Sequence, residues 1–238
     1  VEANRVSVWY AIPSKRPVPE VTRCLSAWKE RGYLTAVWRD QGDEIIWGDM
    51  VLEGAYPGYA ASVNGLCREI INIDPLADWI VTGGDDVFPD ETLRAEGIGA
   101  QCSAHFGGTF GVMQPTGDRW GEAHPPHDGT AYSDRVCGSP WMGREFCERM
   151  YGGNGPMHDA YTHMGVDEEL QAVASLLGVF WQRRDLIHRH EHWGRNPGGR
   201  APEFLRDANS PAHWNRYKTI FEGRRSLGFP GHEPLVVA

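Results

Sequence analysis

Three short β-rich apolar runs in the first hundred residues are separated by two stretches of helical spacing, and this alternation constrains the fold most. Residues 6–12 (VSVWYAI) form a near-continuous apolar run, as in a strand buried on both faces. Pro13 and Pro17 break it. Residues 20–31 then place Val21, Leu25 and Trp28 at helical intervals, with Gly32 as the stop. Residues 34–38 read as a second strand ending at Arg39 and Asp40. A turn at 56–59 (YPGY) leads to a helix over 60–71, with Val63, Cys67, Ile70 and Ile71 on one face. Residues 79–82 are a third buried strand. The order β-α-β-α-β predicts a doubly wound, parallel sheet.

The second half is less regular. Residues 114–134 are rich in Gly, Pro, His and Asp and read as a long loop. Val166, Leu170, Val173 and Leu177 mark a helix, and residues 179–187 a strand. Residues 194–238 read as a wrap with one helix around 212–222. A chain of 238 residues is long enough for one sizeable core. Without an apolar run of membrane-spanning length, no span is expected, and the first residues do not resemble a signal peptide. Five cysteines with no CxxC pair predict reduced thiols and a cytoplasmic setting. The net charge of −9 argues against a general nucleic-acid binder. Residues 183–225 nevertheless carry ten Arg or Lys against five Asp or Glu, a local excess suited to a diphosphate or a polyanion.

Three segments carry candidate chemistry. Residues 79–87 (WIVTGGDDV) set Asp85 and Asp86 directly after a buried strand, where open parallel sheets bind ligands. Carboxylates there can hold a divalent cation that bridges a diphosphate, or simply form a turn. Asp167, Glu168 and Glu169 open a helix, where acidic residues are also favoured by the helix dipole alone. His188, His190 and His192 alternate and would share one face of an extended segment, a spacing that suits a metal. Some of the ten tryptophans could stack on sugar rings, although most Trp side chains belong to cores. No GxGxxG, Walker or GxSxG motif is present.

Taken in order, these pieces resemble the GT-A glycosyltransferases, nearest the large inverting group called family 2, over roughly residues 5–193. Residues 11–17 (AIPSKRP) resemble the family's first strand and nucleotide loop, and residues 39–43 (RDQGD) the acidic end of its second strand. Residues 58–66 (GYAASVNGL) resemble the helix against the donor, and Gly84-Asp85-Asp86 falls on the DxD metal motif. Residues 138–144 (GSPWMGR) resemble the acceptor segment, and residues 165–170 (GVDEEL) the motif that carries the base of inverting members. Two positions depart from the pattern: Gly84 stands for the first Asp of DxD, and Val166 for the Glu usual before the base, which makes Glu168 a rival base.

The resemblance implies a GT-A (Rossmann-like) α/β fold: a mixed, mainly parallel sheet flanked by helices, with an irregular C-terminal wrap. The catalytic domain would span 1–193, with a donor half to about 100 and an acceptor half to 193, and 194–238 would pack on it as an extension. The implied donor-nucleotide residues are Ile12, Pro13, Ser14, Arg16, Asp40, Asn64, Asp85 and Asp86. Asp86 with His190 or His188 would hold Mn2+ or Mg2+, and Arg183, Arg184 or Arg189 would assist at the diphosphate. Gly138, Ser139 and Trp141 would line the acceptor side, and Asp167 would be the base. The expected partners are a nucleotide-sugar donor, UDP-linked by preference, and a glycan acceptor. A less favoured acceptor is a hydroxymethylated pyrimidine in DNA, as for small phage enzymes of this type. Two other readings compete: a metal-dependent hydrolase built on the three histidines, and a non-catalytic sugar- or nucleotide-binding module.

Overall fold

The structure, a computed structural model, describes residues 6–44, 46–118, 135–195, 198–206, 208 and 210–236. Its centre is β1 (Ser7–Pro13), which pairs in parallel with β2 (Leu34–Arg39) on one side and β4 (Ala77–Val81) on the other. Val8, Tyr10 and Ile12 face one core cluster while Trp9 and Ala11 face the other. A strand buried on both faces needs an uninterrupted apolar run, which is what residues 6–12 supply. α1 (Val18–Glu30) buries Val21, Cys24, Leu25 and Trp28 against the first cluster; α2 (Tyr59–Ile73) buries Val63, Leu66, Cys67 and Ile70 against the second.

β3 (Met50–Glu53) lies outside β2 as a half-buried edge strand that the sequence does not announce. Beyond β4 come β5 (Val87–Phe88), α3 (Ala95–Phe106), β6 (Val112–Pro115), β7 (Trp141–Gly143) and α4 (Arg144–Arg149). α5 (Val166–Leu176), β8 (Phe180–Arg183), β9 (Arg189–His190), α6 (Glu203–Arg206) and α7 (Pro211–Ser226) complete the order. The main sheet has seven strands in the order β3-β2-β1-β4-β7-β6-β8. Only β7 runs antiparallel to its neighbours, so the sheet is mixed and mainly parallel, flanked by helices, as expected.

Several local expectations are corrected. Residues 112–115 form β6, so the expected loop starts later; its part from 119 to 134 lies outside the described residues. The strand expected over 179–187 is only Phe180–Arg183, because Asp185 draws the Arg183 guanidinium into a local pair (Nε to Oδ1 2.8 Å) and the chain turns there. The helix expected around 212–222 is α7, which extends over Pro211–Ser226, with Ser210 accepting from the His213 backbone at its start. Glu169, 1% exposed, ties α7 to α5 by accepting from Arg224 Nε and Nη2 (2.7 Å each), Tyr161 Oη (2.7 Å) and Tyr151 Oη (2.9 Å). A buried carboxylate needs this many donors, so the node commits the C-terminal helix to the rest of the fold. All five cysteines are free and buried, and among the described residues no helix is long and apolar enough to cross a membrane.

Candidate active site

The chain leaves β1 in one direction, through α1 to β2, and returns through α2 to β4 on the other side of β1. That reversal opens a crevice at the carboxyl ends of the strands. A cleft of about 1640 Å³ lies there, lined by residues from the ends of β1, β2 and β4, from the start of α5 and from α7.

The acid pair is held from below. Thr82 Oγ1 donates to the Ala11 carbonyl (2.7 Å), Tyr59 Oη to the Gly83 carbonyl (3.1 Å) and Tyr10 Oη to the Gly84 carbonyl (2.6 Å). Trp28 Nε1 donates to the Val87 carbonyl (2.8 Å), and Tyr10 stacks on Trp28. With the carbonyls pinned toward the core, the Asp85 and Asp86 side chains face the cleft. Gly84 has a steric reason: a Cβ there would lie 2.5 Å from Asp86 Oδ1 and push the carboxylate off its partners.

Each carboxylate oxygen is engaged. Asp85 accepts from Ser14 Oγ (2.7 Å) and Arg16 Nε (2.5 Å); Asp86 accepts from Arg16 Nη2 (2.8 Å) and meets His190 Nε2 at 3.1 Å. Burial pushes the Asp85 carboxyl up, only partly offset by Arg16 and Ser14. Burial acts on Asp86 in the same sense, but His190 and Arg16 outweigh it and hold that carboxyl below its ordinary value. The Ser14–Arg16 backbone is fixed in turn by Arg39, buried at the end of β2, whose Nη1 donates to the Ser14 and Arg16 carbonyls (3.0 Å each). The donor roles of Arg39, Tyr10 and Tyr59 depend on partners far along the chain, which no local pattern announces.

His190 reaches Asp86 through the short β5–β9 ladder, which pairs Val87 with His190 and Phe88 with Arg189. Glu191 N donates to the Asp86 carbonyl (2.8 Å), and Ile187 N to Asp90 Oδ2 (2.9 Å), extending the tie in both directions. His188 differs. It is 4% exposed, its Nδ1 lies 2.8 Å from Ser139 Oγ, and its Nε2 accepts from Trp141 Nε1 at 3.4 Å. Burial pushes His188 down to about 3, so it is a neutral core histidine. All three histidines line the cleft, with the His190 and His192 rings 5.1 Å apart, but both His188 ring nitrogens are taken by Ser139 and Trp141. Among the described residues no group of three His, Cys, Asp or Glu forms a metal-binding cluster.

Asp167 and Glu168 line the same cleft at the start of α5. Burial, reinforced by Glu168, pushes Asp167 up to about 7. Glu168 is held by Tyr217 Oη of α7 (2.8 Å). Gly165 precedes them at φ 86°, and a Cβ there would meet Tyr217 Cδ2 at 2.3 Å. Of the other expected site residues, Pro13, Ser14, Arg16, Asp40, Gly138 and Ser139 line the cleft. Ile12, Asn64 and Trp141 are not among its lining residues. Ile12 and Trp141 are core side chains, and Asn64 braces Met157 by accepting from its N–H (3.0 Å) and donating to its carbonyl (2.7 Å). Arg183, Arg184 and Arg189 do not line it either; Lys15, Arg16, Arg135 and Lys218 do. Trp214, Tyr217 and Lys218 of α7 form a further wall of this cleft, which no local pattern in the chain announces.

No protein-family model matches the chain, and no curated protein matches it. Nineteen chains of solved structures do. One is a mutant of the Drosophila β1,4-galactosyltransferase 7 in complex with manganese, UDP-Gal and xylobiose. It is 13% identical, with a TM-score of 0.47, over 86% of this chain and 80% of that one.

Proposed function

We propose that this chain is a metal-dependent glycosyltransferase that moves a sugar from a nucleotide-diphosphate sugar, UDP-linked, to a glycan hydroxyl, with inversion. One observation carries the reading: a single strand-end cleft holds the Asp85–Asp86 pair with Arg16 and His190, and also a buried carboxyl poised near neutrality at Asp167. Hard cations that work on phosphates are commonly held by one or two protein ligands, with phosphate oxygens and water completing the shell. Asp86 and His190, 3.1 Å apart, fit such a partial set, and they are the residues that would hold the ion. A divalent cation supplies Lewis-acid stabilisation to a leaving diphosphate when bound.

The chain's own groups do the rest. Ser14 and Arg16 orient the diphosphate, with Lys15 beside them. Asp167 takes the proton from the acceptor hydroxyl as that oxygen bonds to the anomeric carbon. The anomeric C–O bond breaks on the opposite side, and its electron pair leaves on the diphosphate. Attack from one face by a single base inverts the centre. The reading is tested by UDP-sugar turnover with Mn2+; no turnover and no Mn2+-dependent UDP binding sink it.

The acceptor side is supported by α7. Trp214 is 41% exposed, lines the cleft and sits edge-on to Tyr217 with ring centroids 5.3 Å apart. A half-exposed indole in a cleft is a platform for the apolar face of a sugar ring. Trp214→Ala is expected to raise the acceptor KM about tenfold, a loss of roughly 1.4 kcal/mol, while donor hydrolysis stays unchanged. An unaltered acceptor KM removes Trp214 from the site.

The hydrolase reading and the DNA acceptor lose support. A three-histidine hydrolase needs His188, which is engaged in the core. A DNA acceptor was argued from the basic stretch over 183–225. There Arg183 pairs with Asp185, Arg189 with Glu191, Arg195 with Asp118, Arg206 with Glu203 and Arg224 with Glu169. Two of these acids, Asp118 and Glu169, come from outside the stretch and lower its excess further, and the paired guanidinium groups are already engaged where a phosphate backbone would need them.

A further inference from the structure

Two adjacent carboxylates with side chains only 12% and 14% exposed cannot stay together without a counter-ion. Arg16 is that counter-ion: one guanidinium spans the pair, Nε on Asp85 and Nη2 on Asp86. The remaining oxygens are taken by the Ser14 hydroxyl and the His190 imidazole. A dication approaching these oxygens meets a resident positive charge. Neither Ser14 nor the Arg16 backbone is free to yield, because Arg39 holds both carbonyls. The Arg16 side chain has another anchor within reach, since its Nη1 already touches Glu20 at 3.2 Å toward solvent. A guanidinium also presents the fork that phosphate oxygens accept in pairs.

We propose that Arg16 is an exchangeable counter-ion of the Asp85–Asp86 pair: it competes with the divalent cation in the resting protein and is drawn off by the donor diphosphate. Cation and nucleotide then bind interdependently, each raising the affinity for the other by the same factor. The inference rests on the reading above, that this site takes a nucleotide diphosphate and a divalent cation. It makes Arg16 the residue through which cation and nucleotide binding are coupled.

The test is a titration of the full chain with MnCl2, with and without UDP, read by calorimetry and needing no turnover. The wild type is expected to bind Mn2+ weakly alone and at least about tenfold more tightly with UDP. Arg16→Ala is expected to bind Mn2+ alone about tenfold more tightly than the wild type, and UDP should then add less than it adds in the wild type, the part left being direct ligation of the cation by the phosphate oxygens. Arg16→Lys, whose ammonium meets one carboxylate at a time, is expected to fall between the two. If Arg16→Ala does not fold without metal, the Lys variant carries the comparison. Mn2+ affinity in the variant equal to or weaker than the wild type, or unchanged coupling to UDP, overturns the proposal. Failure of the functional reading looks different: the wild type then binds no UDP at any Mn2+ concentration, while Mn2+ alone still reports the competition at Arg16.

Discussion

Asp167→Asn is expected to lower glycosyl transfer by about a thousandfold while UDP and Mn2+ still bind. The size is that of a lost general base, and the separation from binding follows from position: Asp167 opens α5, whereas Ser14, Arg16, Asp85 and Asp86 stand at the ends of β1 and β4. The pH dependence is set by the same carboxyl. It ordinarily titrates near 3.8, and burial with Glu168 beside it raises it to about 7. Only the deprotonated form accepts a proton, so kcat/KM is expected to climb as pH rises and to reach half its plateau near 7. The asparagine variant loses that limb. Glu168→Gln separates the rival base, because Tyr217 already occupies Glu168 Oε2. A loss within about tenfold is expected there, and a pH–rate profile of each variant reads the difference. If the glutamine variant is the dead one, the roles of the two carboxylates are reversed.

Asp86→Asn is the second large effect. It replaces the carboxylate between Arg16 and His190 with a neutral amide, leaving Asp85 and Ser14 in place. Mn2+-dependent UDP binding is expected to fall by at least a hundredfold, with transfer falling in step. That follows from losing one charged ligand of a site with few protein ligands. Calorimetry with UDP and Mn2+ checks it, and near-wild-type binding would move the cation site elsewhere. Thermal unfolding of the same variant separates a lost ligand from a lost fold.

What the sequence revealed and what it hid divide along the range of the contacts. β1 was readable because a strand buried on both faces must be apolar throughout, and β4 from the apolar run Trp79 to Val81, with Asp78 half-buried near its start. α1 was readable from Val21, Leu25 and Trp28. β3 was not, since its four residues are half-buried at an edge. α3 was hidden by small residues, with only Ile98 as a large aliphatic side chain. Asp85 and Asp86 stood out because the strand before them fixes where they end. His188 and His190 could not be told apart, being two residues apart with the same parity. The β5–β9 ladder hands one to Asp86, while Ser139 and Trp141 hold the other in the core. Tyr217 meets Glu168 across 49 positions, and no local pattern encodes that.

The Glu169 node limits how this chain can be recombined. A tail borrowed from another protein could reproduce the length of α7 and its surface and still fail. It would also have to deliver a cation to a carboxylate sealed between Tyr151 and Tyr161. Cutting the chain before Arg224 leaves that charge stranded, and the start of α5, where Asp167 sits, lies two residues away. Through Arg224 and Glu169, α7 and α5 form one unit, so variation of the cleft wall that α7 supplies is tolerated as substitutions at positions such as Trp214 and Lys218 and not as a trade of the whole tail.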